Sequence, residues 1–343
     1  MSDFQRLVRL ARQKKVLFML AAQKRYSSVF CELAKRISRV RIKGIAHNRV
    51  PVTSVTYETS DGYWLFAEDD LEGWIGPYGT NRWNYRSDLA GGGKLTHTGY
   101  HILDIIPWLI RHGSPRGIDN AVVYSSFWRP QDSVSALPIG RDRDGGFHKL
   151  DPNEVQLANC DQLSEVNAQV QIAFRAGARK RCQVMINFLH EGISGPHRTR
   201  GLTRAKYEHM DLHQGPVAAA TYRRIAGLLP DAKLRERVGG PEHRELYYFR
   251  NTGVATEAVA VESVDIGADD DDGPAREFFK TLLDSGDPLD AHVKSPVSDH
   301  SIGIILMEAA YRSAIAETRL GHPRPIKVTF EKGAWSELNC GEV

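Results

Sequence analysis

The sequence has few cysteines and no long apolar run. Its four cysteines are widely scattered and include no CxxC pair, so they form neither a zinc motif nor a disulfide framework. Reduced thiols in a cytoplasmic protein are the simplest expectation. No apolar stretch approaches the ~20 residues that a helix needs to span a bilayer, and we therefore expect no membrane partner.

The sequence also lacks an excess of charge of either sign. It contains 45 basic and 42 acidic residues, for a formal net charge of +3. Nothing in this balance calls for a nucleic-acid partner. With 343 residues, of which 41% are hydrophobic, the chain is long enough for a large core and for two lobes.

The hydrophobic pattern predicts an α/β opening followed by a largely antiparallel sheet. Helices are predicted over 3–14 and 27–38, on either side of a short apolar run at 16–22 that is typical of a strand buried on both faces. Further strands are predicted near 50–58, 120–127, 167–174, 180–189, 244–250 and 254–264, and further helices near 95–111 and 298–317. Gly177 lies between two of these strands and predicts a β-hairpin. The polar residues Glu208, His209, Asp211 and His213 are interpreted as part of a surface loop.

The most distinctive motif is a glycine turn followed by a histidine-bearing helix. Residues 91–93 are all glycine, and His97, His101 and Asp104 follow at spacings of four and three. On a regular α-helix these three side chains share one face. Two imidazoles and a carboxylate suit a transition-metal ion, but no fourth ligand is evident. The pattern therefore favours an acid–base site without a metal.

The order of these motifs resembles the Gfo/Idh/MocA family of glucose–fructose oxidoreductase and inositol dehydrogenase. The matching segments are Gln23-Lys24-Arg25-Tyr26, Trp83-Asn84-Tyr85-Arg86-Ser87-Asp88, Leu89-Ala90-Gly91-Gly92-Gly93, the helix that follows, and Glu308-Ala309-Ala310-Tyr311-Arg312-Ser313. The resemblance implies an open, mostly antiparallel sheet with helices on one face. It also implies hydride transfer between NAD or NADP and a sugar-like or polyol substrate.

The resemblance further implies a set of site residues. His101 corresponds to the family's acid–base histidine, and His97 stands where the family commonly has aspartate. An imidazole suits this role because its pKa lies near neutrality. The alternative for His97 is that the position has no catalytic role in this chain, so that its residue type is no longer constrained. The substrate-binding residues implied are Lys24, Arg25, Trp83, Tyr85, Arg86 and Asp104. For Trp83 and Tyr85, ordinary core packing is an equal alternative.

Two family motifs are missing from the sequence. There is no GxGxxG turn, whose glycines let the backbone approach a pyrophosphate, and no Glu-Lys-Pro segment, which carries the family's catalytic lysine. We therefore expect residues 1–38 to be a helix–strand–helix remnant of a dinucleotide-binding domain. Residues 39–343 would form the substrate-binding and oligomerisation domain.

Three functions remain open on this evidence. The first is an oxidoreductase that is incomplete in this chain and uses NAD or NADP. The second is a cofactor-independent epimerase, dehydratase or cyclase that works through the two histidines. The third is a non-catalytic subunit of a full-length relative. The expected partners are a sugar-like small molecule and a second copy bound through the open sheet face, or another chain that supplies the dinucleotide-binding half.

Overall fold

Five α-helices and eleven strands are found in the described part of the chain. The computed structural model describes residues 2–16, 19–41, 49–60, 92–113, 118–129, 132, 138–141, 147–149, 165–189, 205–227, 242–251, 259–266, 272–284, 295 and 297–330. The helices are α1 (Ser2–Gln13), α2 (Ser28–Arg39), α3 (Tyr100–His112), α4 (Gly273–Asp284) and α5 (Ser301–Leu320). A 3₁₀ turn, Gln23–Arg25, precedes α2, a π-helical turn, Leu95–Gly99, leads into α3, and a second 3₁₀ turn, Val297–His300, leads into α5. No helix among these residues is long and apolar enough to cross a bilayer.

Nine of the eleven strands form one open sheet, and the bounds of all eleven are as follows. The strands are β1 (Ser54–Ser60), β2 (Asn120–Trp128), β3 (Ile139–Arg141), β4 (Phe147–Lys149), β5 (Asn167–Ala176), β6 (Arg179–Leu189), β7 (Ala205–Gln214), β8 (Ala218–Gly227), β9 (Glu242–Asn251), β10 (Val259–Val264) and β11 (Ile326–Thr329). The order in the sheet is β10-β9-β8-β7-β1-β6-β5-β2-β11, and β3 pairs only with β4. The pairing of β1 with β6 is parallel, and every other described pair is antiparallel. The predicted mixed, mostly antiparallel sheet is therefore confirmed.

The predicted hairpin is also confirmed. Strands β5 and β6 pair antiparallel, and Gly177 between them has a φ of +57°. Only glycine adopts this left-handed conformation without strain, so its position sets the register of the two strands.

Helices cover one face of the sheet and form the core with it. Alternate residues of the strands, such as Tyr57, Met210 and Ile186, are completely buried, as expected for a sheet with one packed face. Helices α3 and α5 cross closely, because a Cβ at Gly303 would lie 3.2 Å from Cα of Asp104. This crossing fixes α3 over the sheet.

The opposite face of the sheet is uncovered and mostly polar. Its cross-strand row Gln171–Met185–Thr56–Asp211–Thr221 crosses five strands. Exposed apolar side chains on this face are Tyr124, Trp128, Met185 and Val261. The face is therefore amphipathic.

Three sequence-based interpretations are corrected. The segment 16–22 forms no strand in its described residues, where Met19 makes only an isolated bridge. A parallel strand buried on both faces requires neighbours, and the described residues supply none. Residues 208–213 are not a surface loop but the middle of β7, which pairs with β1 and β8. Helix α4 and strands β8 and β11 were not predicted.

Candidate active site

The glycine turn is closed around a buried carboxylate. Glu165 accepts hydrogen bonds from the backbone N–H of Leu95 at 2.8 Å and of Gly93 at 3.2 Å. It also accepts one from the hydroxyl of Tyr311 at 2.7 Å. A carboxylate is well placed at a helix start, where unpaired N–H groups and the helix dipole favour negative charge. Burial raises the pKa of Glu165, against the lowering effect of these hydrogen bonds.

Position 92 is a glycine because the side chains packed against it leave no room for a Cβ. A Cβ at Gly92 would lie 2.1 Å from both the hydroxyl of Tyr311 and Oγ1 of Thr96. These two hydroxyls bond each other at 2.7 Å. The turn is therefore filled by side chains of the same protein.

The helix that follows begins with a π-helical turn, not with regular α-helix. The π-turn spans Leu95–Gly99 and contains His97. A π-turn contains more residues than an α-turn, so the predicted regular α-helix is wrong at His97, and a shared face of His97 with His101 and Asp104 stays a prediction. The side chain of His97 lies outside the described residues. His101 lies on the first turn of α3, half-buried, with its ring 5.5 Å from that of Tyr100.

Arg25 and Asp104 fasten α3 to the segment before α2. The guanidinium of Arg25 donates to Asp104 from Nε at 2.8 Å and from Nη2 at 2.7 Å. His101 precedes Asp104 by three residues, and side chains at this spacing are neighbours on a helix. The pair therefore places His101 on the side of α3 that meets residues 23–25.

Electrostatics stabilise this pair despite its burial. Burial alone would raise the pKa of Asp104, but the charge of Arg25 and hydrogen bonds from His300 and Arg25 lower it to about 2. Burial also disfavours the charged form of Arg25, but the negative charges of Asp104 and Asp299 outweigh this effect and raise the pKa of Arg25. Each charge thus depends on the other.

A serine and a histidine extend this pair in the order of a hydrolase triad. Nδ1 of His300 lies 2.7 Å from Asp104 Oδ1, and its Nε2 lies 2.7 Å from Ser295 Oγ. The hydroxyl of Ser295 donates to the carbonyl of Leu20 at 2.7 Å. Ser295 and His300 are completely buried. A nucleophilic serine must be accessible to its substrate and must give its proton to the base. Ser295 is buried and donates its proton to the carbonyl of Leu20, so this row has a structural role and holds residue 20 in place.

Lys24 points to a second polar cluster on the covered face of the sheet. Its Nζ donates to both carboxylate oxygens of Glu208, at 2.8 and 3.0 Å. It also donates to the hydroxyl of Tyr57 at 3.4 Å and lies 5.3 Å from the ring centre of Phe30. The side chains of Lys24 and Glu208 keep 17% and 13% of their surface exposed. The cluster is thus sheltered but reachable.

Glu208 is held as a carboxylate within this cluster. Burial would raise its pKa, but the charges of Lys24 and Arg224 and the hydrogen bonds of Lys24 and Tyr57 lower it. Burial and the charge of Glu208 raise the pKa of Tyr57 well above its usual value. The phenol therefore remains protonated and available as a hydrogen-bond donor.

Glu208 of this cluster belongs to a row of four polar residues, one on each of four neighbouring strands. Thr59 of β1 is opposite Glu208, which is opposite Arg224 of β8, which is opposite Arg244 of β9. Arg224 Nη1 lies 3.7 Å from Glu208 Oε1. The preceding row on the same face is Tyr57–Met210–Tyr222–Leu246, so the polar row marks the border of the core.

The structure brings two of the predicted site residues into contact, Arg25 and Asp104. His101 lies one turn before Asp104, and Lys24, next to Arg25 in sequence, binds Glu208 of the second cluster. Three predicted residues lie outside the described part of the chain: Trp83, Tyr85 and Arg86. A role in substrate binding or catalysis stays a prediction for all of these residues, and also for His97.

Sequence reasoning missed the contribution of the sheet to this site. Tyr57, Glu208 and Arg224 come from β1, β7 and β8, and none was predicted as a site residue. The available signal was the alternation at 207–212, where Tyr207, Met210 and Leu212 are buried between polar residues. The three-residue step from 207 to 210 weakens this signal, because it departs from strict alternation.

The described glycine turn does not fit the pyrophosphate of a dinucleotide. Such a cradle needs free backbone N–H groups at a glycine-rich helix start. At the glycine turn of this chain, Glu165 accepts the N–H groups of Gly93 and Leu95, and Tyr311 fills the space above Gly92. Within the described ranges there is also no group of three histidine, cysteine or acidic residues that could hold a metal ion.

Comparisons with known proteins agree on the fold. No protein-family model and no curated protein sequence matches the chain. Among solved structures, the super-repressor mutant of Gal80p from Saccharomyces cerevisiae is 12% identical, with a TM-score of 0.56 over 95% of this chain and 69% of that chain. A candidate NADPH-dependent oxidoreductase from Desulfitobacterium hafniense is 13% identical, with a TM-score of 0.52 over 94% of this chain and 68% of that chain.

A third neighbour was solved with a nucleotide. GenD2 from gentamicin A biosynthesis, in complex with NAD, is 15% identical, with a TM-score of 0.50 over 96% of this chain and 68% of that chain. At such identities these likenesses establish a shared fold. The chain shares with these structures the fold of a mixed, mostly antiparallel sheet with helices on one face.

Proposed function

We propose that this chain carries the substrate half of an oxidoreductase site that acts on a sugar-like or polyol substrate. The observation that carries the proposal is the position of His101. Its helix is fastened by Asp104 to Arg25, the neighbour of Lys24 in sequence, and this contact supports a position of the imidazole near that segment. The fold shared with oxidoreductases and with an NAD complex supports this assignment as an analogy.

The described residues suit the handling of a hydroxyl group. His101 would take the proton of the substrate hydroxyl, because an imidazole can exchange protons near neutral pH. Lys24 would donate a hydrogen bond to a substrate oxygen.

NAD or NADP is proposed as the hydride carrier, bound by residues other than the described glycine turn. A dinucleotide-binding domain in a second chain is one source of the missing cradle. We also propose that the uncovered sheet face pairs two copies of the chain. Met185→Glu, which adds charge at its centre, should lower the mass measured by light scattering, whereas His213→Gln on the same face should leave it unchanged.

The experiment is turnover by the purified chain with NAD or NADP and a panel of polyols, followed by reduced-cofactor fluorescence. His101→Gln should lower kcat by about 100-fold or more, the usual contribution of a general base, and should leave cofactor binding unchanged. His213→Gln on the uncovered face is the matched control. An unchanged kcat in His101→Gln would contradict the proposal, and absence of any thermal shift with millimolar NAD or NADP would contradict cofactor binding by this chain alone.

A cofactor-independent enzyme is the second candidate. It is favoured by the cluster of Lys24, Tyr57 and Glu208, which holds acid and base groups without a dinucleotide cradle among the described residues. Epimerisation or dehydration of a sugar-like compound without added nucleotide, lost in His101→Gln, would support it. A non-catalytic subunit is the third candidate, since one neighbour in fold is a super-repressor mutant.

A further inference from the structure

Helix α1 carries an apolar stripe that lies open to solvent. Phe4, Leu7, Val8 and Ala11 follow the spacing of one helix face, and Leu7 is 50% exposed. No side chain described in α1 is buried. A helix of 12 residues is only marginally stable alone in water, because most helical stability in proteins comes from packing of an amphipathic face. The stripe of α1 therefore requires a surface that covers it.

Helix α4 carries a second exposed apolar stripe. Leu282 and Leu283 follow Phe279 at spacings of three and four, so the three side chains share one face. Phe279 is 62% exposed and Leu283 is 85% exposed. On the side of α4 that meets the protein, Glu277 accepts a hydrogen bond from the hydroxyl of Tyr26. Helix α4 is thus attached beside the candidate site and presents its apolar stripe outward.

The two helices differ in the sign of their charge. Residues 2–15 contain five basic residues and one acidic residue. Residues 269–284 contain six acidic residues and two basic residues. Complementary charge on two surfaces speeds their encounter and fixes how they align. The stripes of α1 and α4 are therefore alike in apolar character and complementary in charge.

The charges also select which helices can meet. Both stripes are exposed in the same chain, so neither covers the other within one copy. Contact of α1 with α1 of another copy would bring two sets of cations together, and contact of α4 with α4 would do the same with carboxylates. Like charges repel across an interface. Contact of α1 in one copy with α4 in another is the combination in which the charges attract.

We infer that two copies of this chain associate by placing α1 of each copy on α4 of the other. A two-fold axis forms this contact twice and closes the assembly. The apolar centre of each contact is Leu7 against Leu283. This interface is separate from the proposed pairing through the uncovered sheet face and does not depend on the proposed chemistry. Through Glu277 and Tyr26 it would brace the segment that bears Arg25.

The first test is the mass of the purified chain by light scattering, in a Met185→Glu background that removes the proposed sheet-face pairing. This background should be a dimer, and adding Leu7→Glu or Leu283→Glu should halve its mass. Leu320→Glu on α5, where the leucine is 49% exposed, is the matched control and should leave the mass unchanged. A monomeric background, or an equal loss in the control, would overturn the inference. A thermal melt identifies any variant that fails to fold.

A second test identifies the helices that meet. Leu7→Cys and Leu283→Cys chains, only one of them tagged, are mixed and oxidised, and a non-reducing gel should show a disulfide between the two different chains. Leu7→Cys mixed with Leu320→Cys is the control and should give no such product. Cross-linking of Leu7→Cys chains to each other, to the same extent as in the first mixture, would overturn the pairing of α1 with α4.

A third test uses charge. Lys280→Glu makes α4 more acidic and should strengthen dimerisation of the Met185→Glu chain several-fold, whereas added salt should reduce this gain. A basic amphipathic helix is also typical of proteins that lie on anionic membrane surfaces. Sedimentation of the chain with phosphatidylglycerol vesicles, lost in Leu7→Glu and combined with unchanged dimerisation in Lys280→Glu, would assign α1 to a membrane and overturn the inference.

Discussion

The carboxylate of Asp104 receives two hydrogen bonds from one guanidinium, that of Arg25, at 2.7 and 2.8 Å. Both side chains are almost completely buried. The pair joins the segment before α2 to the centre of α3. The position of His101 therefore depends on a contact between residues that are distant in the sequence.

Asp104→Asn should strongly destabilise the fold. The change leaves the buried guanidinium of Arg25 with only the more distant Asp299, 3.5 Å from Nη1, as a counter-charge, and breaking a buried ion pair typically costs about 3–5 kcal/mol in the free energy of unfolding. Urea denaturation followed by circular dichroism measures this loss. Glu308→Gln, which removes the exposed partner of Arg312 on α5, is the control and should change little. Equal stability of the two variants would contradict the structural role of the pair.

Acid should weaken the same contact. The pKa of Asp104 is lowered from 3.8 to about 2 in the fold, so the unfolded chain takes up the proton first. The stabilisation is complete above pH 4 and is lost as the pH falls towards 2. Unfolding free energies measured between pH 5 and pH 2 should fall less steeply in Asp104→Asn than in the unchanged chain.

His112 should add a second pH dependence in a higher range. Burial, together with the charge of Arg111, lowers its pKa from 6.5 to about 4, and its ring packs edge-on against Trp108 at 4.4 Å. The fold holds the neutral imidazole, so its contribution is present above pH 6.5 and is lost as the pH falls to about 4. The full effect is up to about 3 kcal/mol. His112→Phe should remove this slope, and an unchanged slope would refute the prediction.

Gly92→Ala should destabilise the start of α3. The added Cβ would meet the hydroxyls of Tyr311 and Thr96 at 2.1 Å, which forces the turn or α5 to move. Gly215→Ala is the control, since nothing lies within 4 Å of its Cβ and only its φ of +56° opposes the change, at about 1 kcal/mol. The thermal midpoint should fall further for Gly92→Ala. The combined variant with Tyr311→Phe should recover part of the loss.

Removal of the capping carboxylate should loosen the same turn. Glu165→Ala leaves the N–H of Leu95 without its carboxylate acceptor, whereas the N–H of Gly93 keeps the hydroxyl of Tyr311 and that hydroxyl keeps Thr96. Each lost partner of a buried donor costs about 1–3 kcal/mol. Glu165→Gln keeps one acceptor oxygen and should cost less. Amide hydrogen exchange at Gly93 and Leu95 should accelerate in Glu165→Ala, and unchanged exchange there would contradict the assignment.

The sequence was sufficient to predict elements with strong local patterns. Helices α2, α3 and α5 and the hairpin around Gly177 follow from apolar periodicity and turn residues. Strand β7 was missed because polar residues occupy much of it, on both faces: Glu208 belongs to the site and Asp211 to the uncovered face. Partners such as Glu208 for Lys24 are set by strand order, which local pattern does not encode.

The glycine motif shows a further limit of sequence reasoning. Three glycines before a helix indicated a chemical site, and the helix does carry His101. The direct reason for Gly92, however, is contact with Tyr311, and the anion at the helix start is the protein's own Glu165. A residue that is distant in sequence therefore occupies the place that a ligand would take.

The position of β1 has a consequence for synthesis of the chain. β1 ends at Ser60, yet its two neighbours in the sheet begin only at Arg179 and Ala205. During translation both edges of this strand stay unpaired while the intervening residues are made, at about 5–20 residues per second. An unpaired strand edge is a template for wrong pairing. The central strand of the finished sheet thus stays unpaired on both edges until the chain has passed residue 179.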